Sequence, residues 1–181
     1  MQPQRKVVGI SGSLRARSYN TALLRQAGAF LPMGWSFKVA ELSHVPLFNM
    51  DVEAVGFPEP VADLRDEIAT ADAVLFACPE YNNSFSGVLK NTIDWLSRGP
   101  KPPLLGKPGA ILGAGGRFGT IRAQHHLRQT LFHERMNLVM FPEVAVTSAF
   151  EQFDDDLNLI NDRYRDQVAR LVEALIVLAE P

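Results

Sequence analysis

Six apolar residues in a row, Ala73-Val74-Leu75-Phe76-Ala77-Cys78, present no polar face. A strand of that kind is satisfied only when both its faces are covered, as in the centre of a parallel sheet with helices above and below. The rest of the chain repeats the same grammar of short apolar runs alternating with 3.6-period patterns. Lys6 to Ile10, Ser36 to Ala40 and Gly109 to Leu112 read as further strands. Asn137 to Phe141 and Val144 to Thr147 read as one interrupted fifth strand or as a strand with an extension.

Between the strands lie helical patterns. Asn20 to Leu31 carries Ala22, Leu23, Ala27 and Phe30, and Val61 to Thr70 carries Val61, Leu64, Ile68 and Ala69. Gly87 to Arg98 carries Val88, Leu89, Ile93 and Leu96, and a further helix is expected from about Thr120 to Glu134. Leu159 to Ala179 forms an amphipathic terminal helix through Ile160, Tyr164, Val168, Leu171, Val172, Leu175 and Leu178. His44 to Pro60, with Pro46, Gly56, Pro58 and Pro60, reads as a long irregular connection, and Gly99 to Pro108 as a connector. The expectation is an α/β chain with a doubly wound, five-stranded parallel sheet, residues 1–181 forming one domain. Ligands of such sheets bind beyond the C-terminal strand ends, so the loops after strands 1, 3 and 4 are where function is expected.

Charge and cysteine count narrow the classes. Eighteen Lys and Arg against 20 Asp and Glu give a net charge of −2, so no basic field is available to gather nucleic-acid phosphates. A single cysteine excludes an internal disulfide framework and a multi-cysteine zinc site, which points to a reducing, cytoplasmic setting. No apolar run approaches the roughly 20 residues of a spanning helix, and the first residues lead directly into a strand, so neither membrane nor signal peptide is expected.

After strand 1 comes Ser11-Gly12-Ser13-Leu14-Arg15-Ala16-Arg17-Ser18-Tyr19-Asn20. Hydroxyls and backbone N–H groups at a helix N-terminus suit an anion, and Arg15 adds a charged donor. Alone, the loop equally fits a plain cap by Ser18 or Asn20 with solvated arginines. It lacks the Gly-Lys-Ser/Thr ending that grips a triphosphate and the Gly-x-Gly-x-x-Gly of a pyrophosphate site, so a single terminal phosphate such as that of FMN fits best.

After strand 3, Pro79-Glu80-Tyr81-Asn82-Asn83-Ser84-Phe85-Ser86-Gly87 sets an aromatic among amides, suited to stacking and hydrogen bonding with a flat heterocycle. The alternative is a capped turn with Ser84 or Ser86 as N-cap. After strand 4, Gly113-Ala114-Gly115-Gly116-Arg117-Phe118-Gly119 lets backbone approach a ligand closely.

Gly-Ser-Leu-Arg-x-x-Ser-x-Asn and Pro-Glu-Tyr-Asn-x-Ser-x-x-Gly-x-Leu-Lys-Asn-x-Ile-Asp-Trp-x-Ser-Arg, in that order, resemble the NADPH-dependent FMN reductase family. The resemblance implies a flavodoxin-like three-layer fold, strand order 2-1-3-4-5, and tightly held non-covalent FMN. It assigns the phosphate to Ser13, Arg15, Ser18 and Asn20, with Ser11 beside them, and the isoalloxazine to Pro79, Glu80, Tyr81, Asn82, Asn83 and Ser84, Gly87 closing that loop. Gly113 and Gly115 would lie near the pyrimidine edge. Asn83 departs from the tyrosine that many relatives carry there.

The resemblance further implies a ping-pong oxidoreductase. NADPH or NADH would give hydride to flavin N5, and a small acceptor (quinone, free flavin, azo compound or chromate) would take the electrons. Backbone N–H groups of residues 80–84 would face N5 and O4, and no side-chain acid or nucleophile is required. A homodimer or homotetramer is implied, with the helix of Trp95 contributing to the interface. The rival readings are a flavodoxin-like electron carrier without NAD(P)H activity and a flavin-free binding protein; near-neutral charge speaks against the carrier. Cys78 reads as a small buried hydrophobe, His44, His125, His126 and His133 as surface residues, and Asp154-Asp155-Asp156 as a solvated turn, so no metal is expected.

Overall fold

The computed structural model describes residues 4–180. Its elements run β1 (Arg5–Ser11), α1 (Tyr19–Gly28), β2 (Trp35–Val39), α2 (Met50–Val55), α3 (Glu59–Ala69), β3 (Ala73–Ala77), β4 (Glu80–Tyr81), β5 (Ser84–Phe85), α4 (Gly87–Leu96), β6 (Pro108–Ala114), α5 (Ile121–His133), β7 (Asn137–Leu138), β8 (Val144–Val146), α6 (Ala149–Gln152) and α7 (Asp162–Ala179). The main sheet is parallel in the order β2-β1-β3-β6-β7, with β8 also paired to β6. That is the expected 2-1-3-4-5 order once the small β4–β5 hairpin is numbered and the fifth strand counted as two pieces.

Alternating side chains of the central strands feed two separate cores. Ala73, Leu75 and Ala77 of β3 pack with Ala110 and Leu112 of β6 on the face covered by α1 and α7. Val74 and Phe76, with Cys78 beyond them, pack on the opposite face against α3, α4 and α5. All five residues of β3 are buried, as a strand with no polar face demands.

The fifth strand is interrupted. Gly109 pairs with Leu138 and Leu112 with Val144, so six steps on one side match three on the other and three extra residues bulge out. Pro142 lies in that bulge, where a residue without an N–H can offer nothing to the ladder. The connection expected to be irregular contains α2, capped by Asn49 and carrying Asp51 and Glu53 in its first turn. It is fastened to α4: Trp95 Nε1 donates to Pro46 O at 2.8 Å, and the Phe48 N–H donates to Asn91 Oδ1 at 2.7 Å.

Three apolar positions depart from expectation. Ala69 is exposed at the end of α3, Phe30 lies beyond α1, and Ile160 is exposed ahead of α7. The terminal helix starts at Asp162, where the Asn161 side chain accepts from Tyr164 N, so Ile160 lies ahead of the helix.

Candidate functional site

β1, β3 and β6 are neighbours in register, with Ser11 opposite Ala77 and Ala77 opposite Leu112. The three loops singled out in the sequence therefore leave the sheet side by side at one level. Gly12 N donates to Ala77 O at 2.9 Å, and Cys78 N to Leu112 O at 2.8 Å. A Cβ at Gly12 would sit 2.6 Å from Pro79 Cδ and 2.8 Å from Leu89 Cγ. Glycine is what lets the first loop lie against the second.

In the first loop, Ser11 Oγ hydrogen-bonds Thr21 Oγ1 at 2.7 Å and accepts from Ser13 N at 3.3 Å. Ser18 caps α1 by accepting from Thr21 N. The N–H groups of Leu14, Ala16, Arg17 and Ser18 have no protein acceptor among the described residues. They stand with Ser13 at the positive end of a ten-residue helix. Arg15 is exposed, its guanidinium 5.4 Å from the Tyr19 ring centroid, whereas Arg17 is tied to the Asp155 carbonyl. These free donors suit a phosphate monoester, and the chain therefore fits FMN's terminal phosphate.

Asn20 has other work. Its Nδ2 donates to Ala114 O at 2.9 Å and its Oδ1 accepts from Ala114 N at 3.0 Å, so the amide expected at the phosphate instead locks the first loop to the third.

The second loop is a hairpin. Asn82 and Asn83 have φ of 50° and 63°, so a two-residue turn with both centres left-handed joins β4 to β5. Asparagine tolerates that region better than other non-glycine residues, which gives the unusual Asn83 a backbone reason. Tyr81 is 56% exposed at the strand end, Pro79 is buried, and Ser84 Oγ meets His126 Nδ1 at 3.2 Å. Glu80 reaches α5, where its carboxylate pairs with Arg122 Nε at 3.1 Å and accepts from Ala123 N at 3.2 Å. Thr120, the N-cap residue of α5, makes no capping bond, so Glu80 acts as the cap from a distance. Ser86 caps α4, and the Gly87 Cα faces open space.

In the third loop, a Cβ at Gly113 would strike Thr120 Oγ1 and one at Gly115 would strike Gly119 O. Both glycines admit the tight turn over Gly116–Gly119, in which Gly119 has φ 59°. Phe118 is exposed in this turn with Arg117 and Arg122 over its ring, at 5.4 and 4.4 Å from the centroid.

Burial, and secondarily the charge of Glu80, pushes the Cys78 thiol up to about 12, as suits an inert core residue. Of the four histidines all are exposed; His125 meets Glu143 at 3.1 Å and His126 meets Ser84. Asp154 accepts from Asp156 N and Asn158 N, an acidic turn closed on itself. Sequence reading did not find the hairpin, the Glu80 cap or the His126 contact. Asn-Asn between two short β-prone pairs was the available signal for the first; the others join residues 43 and 42 positions apart and have no local signal.

An open parallel sheet with a phosphate-type helix terminus, an aromatic hairpin and a glycine turn at its C-terminal edge defines a flavodoxin-like flavin-binding protein. Residues 5–151 match the NADPH-dependent FMN reductase family. The chain is 52% identical over 171 residues to an NAD(P)H-dependent FMN reductase of Pseudomonas aeruginosa, covering 94% of this chain and 92% of that one. It is 39% identical over 185 residues to an NAD(P)H:quinone oxidoreductase of Solanum tuberosum, covering 98% and 94%. Among solved structures, a flavoenzyme NAD(P)H:(acceptor) oxidoreductase from Paracoccus denitrificans superposes with a TM-score of 0.87 at 30% identity, covering 97% of each chain. The chain belongs to the NADPH-dependent FMN reductase family. It is an FMN-dependent NAD(P)H oxidoreductase.

Proposed function

We propose that the three loops hold FMN and that the enzyme passes electrons from NAD(P)H to small acceptors, quinones foremost, in a ping-pong cycle. The observation that carries this reading is the set of unpaired N–H groups at the start of α1, locked by Asn20 beside the exposed Tyr81 hairpin and the glycine turn. FMN, when bound, supplies reversible two-electron chemistry that no side chain here offers.

Ser13, the Arg15 side chain and the N–H groups of Leu14, Ala16, Arg17 and Ser18 would bind the phosphate; Ser11 and Ser18 shape that loop through Thr21. Pro79 to Ser84 would orient the ring, and the loop of Gly113 and Gly115 would hold its edge. Peptide N–H groups of residues 80–84 would be the hairpin's donors toward a bound ring, where they would stabilise the negative charge that reduction brings. Quinone specificity is supported by the Solanum tuberosum relative, named as a quinone oxidoreductase.

The whole chain acts as one domain in the cytoplasm, where one free cysteine is safe; among the described residues no helix is long and apolar enough to cross a membrane. Assembly as a homodimer or homotetramer is supported by exposed Phe132, Met140, Phe141 and Val177, together with the unpaired Nε and Nη2 of Arg128 beside Met140. Stripping the flavin and titrating FMN against riboflavin tests the site: the phosphate site predicts FMN bound at least about tenfold tighter. Equal affinities would overturn the phosphate assignment.

A further inference from the structure

Reducing a quinone to a hydroquinone takes two electrons and two protons, and hydride carries only one of the protons. Histidine is the side chain that exchanges protons near neutral pH, so a histidine at the rim of the electron-transfer site has a chemical use. His126 is such a residue. It is exposed on α5, and its Nδ1 lies 3.2 Å from the Oγ of Ser84 in the hairpin. Ser84 stands directly opposite Tyr81 in the β4–β5 pair, and residues opposite one another share one face of the hairpin. The hydroxyl touched by His126 and the exposed aromatic ring of Tyr81 are therefore on the same side.

We propose that His126 and Ser84 form the proton supply for the acceptor half-reaction. This rests on the flavin site described above. The acceptor, a quinone lying against the hairpin, receives two electrons and one proton as hydride from the reduced cofactor. The imidazolium Nδ1–H bond of His126 breaks as its proton passes to Ser84 Oγ. The Ser84 hydroxyl proton passes on to the quinone oxygen, where the second O–H bond forms. The neutral imidazole regains a proton from solvent, to which it is open.

Other charged or titratable groups of the hairpin and α5 are engaged or differently placed. Glu80 is held by Arg122 and by Ala123 N, His125 by Glu143, and Tyr81 is part of the hairpin face itself. β6, on which α5 packs, brings no ionisable side chain. Ser84 and His126 are thus the one pair in this region whose hydrogen bond joins a protonatable ring to a hydroxyl on the hairpin.

The test compares a proton-requiring acceptor with a proton-free one. Enzyme reduced anaerobically is mixed with benzoquinone or with ferricyanide across pH 5 to 9, for wild type, His126→Gln, Ser84→Ala and Ser84→Thr. A proton supply predicts that the quinone-to-ferricyanide rate ratio falls at least about tenfold in His126→Gln and Ser84→Ala. Ser84→Thr, which keeps the hydroxyl, restores most of the ratio. An unchanged ratio overturns the proposal, including the case in which both rates fall together, as they would for damaged packing. A second reading needs no turnover: in the flavin-free protein the His126 Nδ1 chemical shift should differ between Ser84→Ala and wild type at one fixed pH, because its hydrogen bond to Ser84 Oγ is lost. Identical shifts overturn the pair itself. Failure of NADPH to reduce the flavin, with the NMR coupling intact, would strike the enzyme reading instead.

Discussion

Asn20, in the first turn of α1, and Ala114, the last residue of β6, exchange two hydrogen bonds at 2.9 and 3.0 Å. A buried side-chain amide thereby mimics a strand partner for Ala114 and ties the anion loop to the glycine turn. Two of the three loops at the C-terminal sheet edge are one mechanical unit.

Asn20→Ala leaves both backbone groups of Ala114 buried without partners. At about 1–3 kcal/mol for each of the two unpaired groups the cost is roughly 2–6 kcal/mol, which lowers Tm by about 4–24 °C in a chain of this size. FMN affinity, measured by fluorescence titration below the melting range, should fall about tenfold. Asn20→Asp should be worse still, since a carboxylate facing Ala114 O cannot donate to it.

The two arginines of the first loop separate cleanly. Arg15 is free to meet a phosphate, while Arg17 is anchored on Asp155 O. A charge-assisted bond of about 1.5–3 kcal/mol predicts that Arg15→Ala weakens FMN binding roughly 10–150-fold, and that rising salt weakens FMN binding to wild type more than to the variant. Arg17→Ala should change FMN affinity less than about threefold. Isothermal titration at two ionic strengths reads both.

Glu80 joins hairpin and helix. Glu80→Ala removes the acceptor of Ala123 N and the partner of Arg122, a loss of about 1 kcal/mol and of roughly 2–4 °C in Tm. The Ala123 amide should also exchange with solvent faster. Glu80→Gln, whose amide oxygen still accepts, should recover part of the loss.

The main sheet was legible because its strongest signals are local. An apolar run such as Ala73 to Cys78 can only be central, and the motifs at three strand ends fall at adjacent sites because β1, β3 and β6 are neighbours. Elements that bury little were not legible. Helix α2 has no buried residue, so it carries no apolar period, and only its Asn49 cap and early acids mark it between prolines. Asn20 illustrates the limit for the site: the family resemblance set it among the phosphate ligands, but its partner lies 94 residues away in β6, beyond any local pattern.

Cys78 gives a pH signature. Its folded value of about 12 stands above the ordinary 9.0, so the buried neutral thiol adds stability in full below pH 9. That contribution declines by about 1.4 kcal/mol per pH unit as pH rises towards about 12, because only the unfolded thiol then ionises readily. Denaturant melts of wild type and Cys78→Ala should therefore converge or cross as pH is raised through that window, wild type losing more. At pH 8 the native thiol should resist iodoacetamide and react only after unfolding.

The central claim is that NAD(P)H delivers electrons to a flavin held by these loops. Anaerobic mixing of the holoprotein with NADPH tests it most directly, followed by absorbance and then by addition of benzoquinone. The yellow flavin band should bleach, and the quinone should restore it within one turnover. A band that stays yellow in the presence of excess NADPH and NADH would contradict it.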